Sequence, residues 1–192
     1  MSPQRSNRSN LLEGTLRCVE RLPPERITAR AIAEESGANV ASINYHFGTK
    51  ENLITEAVIE GLDRWLEEID TGLGDLTSQP PAERYQRASD IIATSRRQHS
   101  GLAKNLIAAL ARAQHDSRIR QMLATGYRRT RPTVAALLGL GDDQAGSDAG
   151  GLVLALFNGL LFQALLDPAL AIEGERMRRA QARLSGVLPD RA

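Results

Sequence analysis

The sequence predicts an all-α protein of about nine helices, in which a three-helix N-terminal unit precedes a larger helical unit. Apolar residues recur at helical spacing along the chain, and Gly and Pro stand between the apolar segments. Near the N-terminus, two short helical patterns flank a tight turn. The 192 residues suffice for one or two small domains, which we place at residues 1–49 and 50–192. Aromatic residues are only 4%, so the cores must be packed from Leu, Ala and Val.

Residues 27–50 predict a helix, a tight turn and a second short helix. Gly37 lies at the turn, because glycine adopts left-handed backbone freely. The second helix carries a stripe predicted to be buried, at i, i+3 and i+7 spacing: Val40, Ile43 and Phe47. Its opposite face carries short donors, acceptors and amphipathic rings: Ser42, Asn44, Tyr45 and His46. This is the pattern of a helix-turn-helix whose second helix enters the DNA major groove.

The run GANVASINYHFGTKENLI, residues 37–54, resembles the signature of TetR-type transcriptional regulators. The resemblance covers roughly the first 60 residues, and the remainder is similar in length, helical content and layout. It implies a DNA-binding N-terminal domain and a C-terminal domain for ligand binding and dimerisation. It also implies that the DNA contacts of the second helix fall on Asn39, Val40, Ala41, Ser42, Asn44, Tyr45 and His46.

The chemistry of these positions differs. Ser42 and Asn44 can hydrogen-bond base edges, and an Asn amide suits adenine, whereas Val40 and Ala41 offer methyl groups to thymine. The rings that follow, Tyr45 and His46, are expected to hold phosphates, although a buried, hydrogen-bonded His46 is the alternative. The family often has an aromatic residue where this chain has Asn44, so base contact there would be more selective or absent.

Three further residues around this unit are candidates for DNA contact. Thr28 would cap the helix before the turn, and a capped N-terminus binds phosphate, although capping alone would explain Thr28. For Arg30 the resemblance implies a base or phosphate contact, and a solvated arginine is the alternative. Thr49 would cap the fourth helix, and Lys50 at its start should clamp a phosphate through charge and the helix N-terminus. Residues 1–9 predict either an arm on the DNA or an unstructured terminus.

Caps and breakers predict the helix bounds. Asn10 with Glu13 forms a capping box for the first helix, and Asp116 or Ser117 caps the seventh. Pro132 should kink or interrupt that helix. The expected helices from the fourth onward are 50–69, 82–97, 102–114, 117–138, one opening at Ser147 or Asp148, and 173–188, with a loop around Gly72, Gly74, Pro80 and Pro81.

The eighth helix, AGGLVLALFNGLLFQALL, is apolar on nearly all sides. One side can pack on its own domain and the other needs a second chain, so the eighth and ninth helices predict a homodimer. A core helix of a monomer is the alternative. The expected interface residues are Leu154, Asn158, Leu161, Phe162, Leu165, Met177 and Leu184.

A small-molecule effector of unknown identity is expected among helices four to eight. Polar or aromatic residues at positions expected to face inward are the pocket candidates: Trp65, Tyr85, His99, Asn105, Gln114, Tyr127 and Phe157. The expected function is a ligand-responsive regulator, a repressor bound to a palindromic operator in double-stranded DNA. The alternative is a DNA-binding protein controlled by a protein partner.

Other classes of protein are disfavoured. Cys18 is the only cysteine, so no internal disulfide forms, and the three histidines lack the spacing of metal ligands. No catalytic constellation or Gly-rich phosphate loop is present, so neither an enzyme nor a cofactor is expected. The polar N-terminus and the absence of an uninterrupted apolar run predict a cytoplasmic protein without a membrane span. Residues 96–131 carry nine basic side chains against one acidic. Because stacking aromatics are not interleaved with these charges, we expect them to face the acidic fourth helix and solvent rather than a second nucleic acid. An arginine that lines the pocket and meets an anionic ligand is the alternative.

Overall fold

The structure is a computed structural model, and it describes residues 7–74, 78–96 and 98–185. Within these residues the chain forms nine α-helices and no strand, which confirms the predicted fold class. The helices are α1 Asn7–Arg21, α2 Ala29–Ser36, α3 Val40–Phe47, α4 Lys50–Leu73, α5 Pro81–Ser95, α6 Ser100–Arg112, α7 Ser117–Leu138, α8 Gln144–Leu166 and α9 Gly174–Ser185. Short 3-10 turns at Pro24–Arg26 and Pro168–Leu170 complete the path.

The N-terminal core lies between α1, α2, α3 and the first half of α4. Its fully buried side chains include Leu11, Ile32, Ile43 and Leu53. Residues from α6 and α7 are buried in the same cluster, so it continues beyond the first three helices. The boundary between domains at residue 49 therefore stays a prediction.

A second core lies further along α4, between α4, α5, α6, α7 and α8. Trp65 and Ile69 of α4 are buried there against Val134 and Leu138 of α7 and Leu161 of α8. At 24 residues, α4 is long enough to supply side chains to both cores. It is thus a continuous helical connection between them.

Several helix bounds differ from the prediction. Asn10 lies inside α1 rather than at its cap, because the helix already begins at Asn7. α4 continues through Gly72 to Leu73, and Pro132 does not interrupt α7. α6 begins at Ser100 rather than after Gly101. The predicted ends of the fifth helix, at residue 97, and of the ninth, at residue 188, lie outside the described residues.

α8 begins four residues before Asp148, since the Asp143 carboxylate caps it by accepting a hydrogen bond from the Gly146 amide at 2.8 Å. The glycines of its first turns are packing positions rather than loop residues. A Cβ on Gly146 would strike the Gly141 carbonyl, and one on Gly150 would strike the Arg131 carbonyl of α7. Glycine therefore lets α8 approach α7 closely.

Candidate nucleic-acid interface and ligand cavity

The turn between α2 and α3 is built from local hydrogen bonds. The Thr28 hydroxyl caps α2 by accepting from the Ala31 amide at 3.1 Å. Gly37 ends α2 with φ +63°, as the turn requires, and the Asn39 side chain then caps α3 by accepting from the Ala41 amide at 2.9 Å. Thr28 and Asn39 are thus caps, and Thr28 remains exposed beside Arg30 on the surface of α2.

α3 buries one face and exposes the other. Ile43 and Phe47 are 1% and 2% exposed, whereas Tyr45 is 85% exposed. Val40 is 45% exposed, so it does not belong to the buried stripe predicted for it. It projects instead near the start of the helix, where the resemblance implies a DNA contact. The exposed surface of α3 is thus formed by Val40, Ala41, Asn44 and Tyr45.

His46 is half-buried rather than enclosed in the core. Its ring centroid lies 4.8 Å from that of Tyr45 and 6.4 Å from that of Phe47, both edge to face. Ser42 is also half-buried. These contacts fix the end of α3 where the exposed Tyr45 ring projects.

The turn from α3 to α4 is tied to the start of α2. Thr49 caps α4 by accepting from the Asn52 amide at 3.1 Å, and the Asn52 side chain donates to the Phe47 carbonyl at 3.0 Å. The Lys50 ammonium donates to the Ile27 carbonyl at 3.2 Å and lies 3.4 Å from the Glu51 carboxylate. Its position is therefore set by the protein itself.

Three arginines also hold this unit together, and the sequence pattern gave no sign of them. Arg8 pairs with Glu56 and its guanidinium carbon lies 5.0 Å from the centre of the Phe47 ring. Arg17 and Arg21 of α1 both bind Glu35 of α2, and these hydrogen bonds lower the pKa of that carboxyl. Only the three-dimensional packing of α1 on its neighbours creates these pairs.

A cavity of about 140 Å³ lies among α4, α5, α6, α7 and α8. Three of the predicted pocket residues, Trp65, Tyr127 and Phe157, line it. The predicted Tyr85 stands behind Phe157, with ring centres 5.5 Å apart, and His99 stacks behind Trp65 at 4.6 Å. These two support the wall and do not line the cavity.

The other two pocket candidates, Asn105 and Gln114, do not line this cavity. Asn105 is buried at the contact of α6 with α1, where its amide donates to the Val19 carbonyl at 3.2 Å and to Gly101 at 3.0 Å. Gln114 is exposed just after α6 and donates to the Leu110 carbonyl. In both residues the side-chain amide N–H groups donate to nearby backbone carbonyls, and a polarity pattern cannot distinguish such a residue from a ligand contact.

Three polar residues of the cavity were not among the pocket candidates: Asp63, Thr130 and Asn158. The Asn158 amide donates to the Tyr127 hydroxyl at 2.9 Å, and burial raises the pKa of Tyr127. The Asp63 carboxylate pairs with Arg129 at the edge of the cavity. Asn158 lies at helical spacing from Leu154 and Leu161, which also line the cavity. That spacing is the feature of the sequence from which Asn158 could have been predicted to line the cavity.

The dimer residues predicted on α8 contact their own domain in the single chain. Leu154, Asn158 and Leu161 line the cavity, while Phe162 and Leu165 pack against the two cores. Met177 of α9 is likewise buried, and only Leu184 is exposed. Because α8 is apolar on every side, its sequence does not show which side faces its own domain. The exposed stripe is Leu152, Ala155, Leu156, Gln163 and Leu166.

α8 is also long and apolar enough to cross a membrane when judged by length and composition, with a mean hydropathy of 1.9. The sequence expectation was different because Asn158 and Gln163 interrupt the apolar run. In the structure α8 packs along α7 and forms one wall of the cavity. Its part in the fold is therefore that of a domain helix with one uncovered side.

The geometry defines a class of protein: an all-α helix-turn-helix protein whose second helical unit encloses a cavity. Residues 11–57 match the model of the family described as "Bacterial regulatory proteins, tetR family". This N-terminal segment is therefore a TetR-family helix-turn-helix domain. No curated protein matches the sequence.

Solved structures share the fold over almost the whole chain. A putative transcriptional regulator from Pseudomonas aeruginosa PAO1 is 21% identical with a TM-score of 0.67, covering 94% of this chain and 89% of its own. The multidrug binding protein EbrR, complexed with imidazole, is 20% identical with a TM-score of 0.66 and 98% of both chains covered. A putative regulator from Saccharomonospora viridis, in complex with choline, is 23% identical with a TM-score of 0.58, covering 85% of this chain and 88% of its own.

Proposed function

We propose that this chain is a cytoplasmic repressor that binds a palindromic operator as a homodimer and leaves it when a small molecule binds. The exposed face of α3 supports the DNA contact. Asn44 and Tyr45 project from it while Ile43 and Phe47 anchor the helix. A single helix of eight residues reads only a few base pairs, so a second copy is needed for a specific site.

The uncovered side of α8 supports the homodimer. Leu152 and Leu166 are 74% and 84% exposed, and Leu156 lies between them on the same stripe. Continuous apolar stripes on a soluble protein mark interaction surfaces. Two copies of one stripe can pack around a two-fold axis, which matches the symmetry of a palindrome.

The observation that supports ligand control is that helices of the cavity wall, α4 and α7 among them, also belong to the N-terminal core. α4 lines the cavity through Trp65 and enters that core through Leu53, and α7 does so through Tyr127 and Ile119. A ligand that favours one arrangement of α4 and α7 would thereby shift the two DNA-binding units relative to each other. The imidazole and choline bound by two relatives support a small-molecule effector.

The alternative, control by a protein partner without any ligand, would fit a fully packed core, and the open cavity counts against it. A side chain that fills the cavity distinguishes control by a ligand from control by a protein partner. Gly126 of α7 lines the cavity, so Gly126→Leu should abolish release from DNA by small molecules while DNA binding persists. The matched control is Thr125→Leu, which adds a similar side chain to the exposed surface of α7.

Operator binding is measured by fluorescence anisotropy, with and without fractionated metabolite pools. The ligand hypothesis requires release of the parent protein and of Thr125→Leu but not of Gly126→Leu. If no fraction releases the parent protein, or if both variants respond alike, control by this cavity is refuted.

A further inference from the structure

We propose that the effector is a small, neutral phenol, a single aromatic ring that bears one hydroxyl group. This inference rests on the proposed ligand control and assigns the chemistry of the same cavity. Three properties of the cavity carry it: volume, polar groups and charge.

The volume fits one ring. An apolar cavity of about 150 Å³ in another protein binds benzene, and the cavity here is about 140 Å³. Trp65, Tyr127 and Phe157 supply aromatic surface from three helices. Aromatic rings pack well edge to face or offset against one another, so a ring-shaped ligand gains more here than a flexible chain of equal volume.

The polar groups fit a hydroxyl. The Tyr127 oxygen accepts from the Asn158 amide at 2.9 Å, which leaves the Tyr127 proton and the Asn158 carbonyl oxygen without a partner among the described residues. If the amide is turned around, the pair instead leaves a Tyr127 lone pair and an Asn158 N–H. In both orientations one donor and one acceptor remain, and a ligand hydroxyl both donates and accepts.

The charges favour a neutral ligand. Asp63 is the only ionised group among the described residues that line the cavity, and its carboxylate already pairs with Arg129. A cation would have to displace Arg129, and an anion would meet no positive side chain in the wall. An unpaired ion is costly to bury, whereas a phenol is uncharged at neutral pH.

Calorimetric titration of the full chain with four one-ring probes tests the proposal: phenol, toluene, benzoate and benzyltrimethylammonium. Trp65 is the only tryptophan and lines the cavity, so a change in its fluorescence places a bound probe there. Phenol should bind most tightly. Tyr127→Phe keeps the ring and removes the hydroxyl, so it should weaken phenol about 3- to 10-fold and leave toluene within about 2-fold. The matched control, Tyr85→Phe, removes a hydroxyl outside the cavity and should leave both affinities unchanged.

The outcomes separate this proposal from the proposed function. Tightest binding by the cation or the anion would overturn the phenol and leave ligand control intact. Equal loss of phenol and toluene affinity in Tyr127→Phe would overturn the role of the hydroxyl. If none of the four probes binds, the ligand class is wrong, and the operator release assay with metabolite pools decides ligand control independently.

Discussion

The Lys50 ammonium lies 3.2 Å from the Ile27 carbonyl oxygen, so the first residue of α4 is bonded to the segment that leads into α2. The helix that lines the cavity and the helix that precedes the turn are thus joined at their N-termini. A movement of α4 would be passed to the whole helix-turn-helix unit. The same contact holds the ammonium beside the N-terminus of α4, where a DNA phosphate is favoured.

Replacing Lys50 should weaken DNA binding without changing its sequence preference. Lys50→Ala removes one phosphate contact, so affinity should fall for all sequences alike and the salt slope should decrease by about 1. Anisotropy titrations at several salt concentrations measure both. Lys104 is the other lysine of the chain and is exposed on α6, which makes Lys104→Ala the control. A shifted sequence preference in Lys50→Ala would argue against the phosphate contact.

Asn44→Ala should affect preference rather than general affinity. The side chain is exposed on α3, and a bidentate amide contact with adenine contributes about 1–3 kcal/mol of discrimination. The variant should lose its preference at one base step in each half-site, as seen by selection from random DNA. Because the side chain is exposed, the free energy of unfolding should stay within about 0.5 kcal/mol. If the base preferences of the selected sequences are unchanged, base contact by Asn44 is excluded.

Leu152→Glu should prevent dimerisation by placing a charge on the exposed α8 stripe, at its N-terminal end. Sedimentation velocity should then show a monomer that still has its helical circular dichroism. Ile107→Glu is the matched control, since Ile107 is an exposed apolar residue on α6. A dimeric Leu152→Glu would show that copies associate through another surface.

Asp63 should make stability fall as pH rises above about 4. Burial, the largest cause, raises the pKa of Asp63 above its ordinary value of 3.8, although Arg129 acts in the opposite direction. The folded state therefore retains the proton more strongly than the unfolded state. The stability from Asp63 is complete below the unfolded pKa and is lost as pH rises through the folded pKa.

The side chain in Asp63→Asn does not titrate. As pH rises from the unfolded to the folded pKa of Asp63, the free energy of unfolding of the variant should therefore increase relative to that of the parent. Urea unfolding at stepped pH values measures the difference. A constant difference would show that the Arg129 pair cancels the effect of burial, and a difference that moves in favour of the parent as pH rises would show that the pair outweighs burial.

Local signals predicted much of the fold. Thr28, Thr49 and Asp116 each mark the start of a helix, because the capping side chain bonds to amides only two or three residues away. The turn at Gly37 follows from backbone conformation alone. Asn10 shows the limit, since a capping residue type can equally lie inside a helix that starts earlier.

The orientation of α8 could not be predicted, because its apolar residues surround the helix. Its cavity face, with Leu154 and Asn158, and its exposed face, with Leu152 and Leu156, have nearly the same composition. The pocket was predicted only in part for a related reason. Aromatic residues such as Trp65 line it, but the side-chain amide of a polar residue such as Asn105 can equally well donate to backbone carbonyls elsewhere.

Paired recognition of DNA by two copies of α3 is the central claim, and selection of bound sequences from random double-stranded DNA tests it most directly. The full chain should enrich a palindrome of two inverted half-sites whose centres lie one helical turn, about 34–36 Å, or a multiple of it apart. Leu152→Glu should enrich at most one half-site. Failure to enrich any sequence, or enrichment of a single asymmetric site by the parent protein, would contradict the claim.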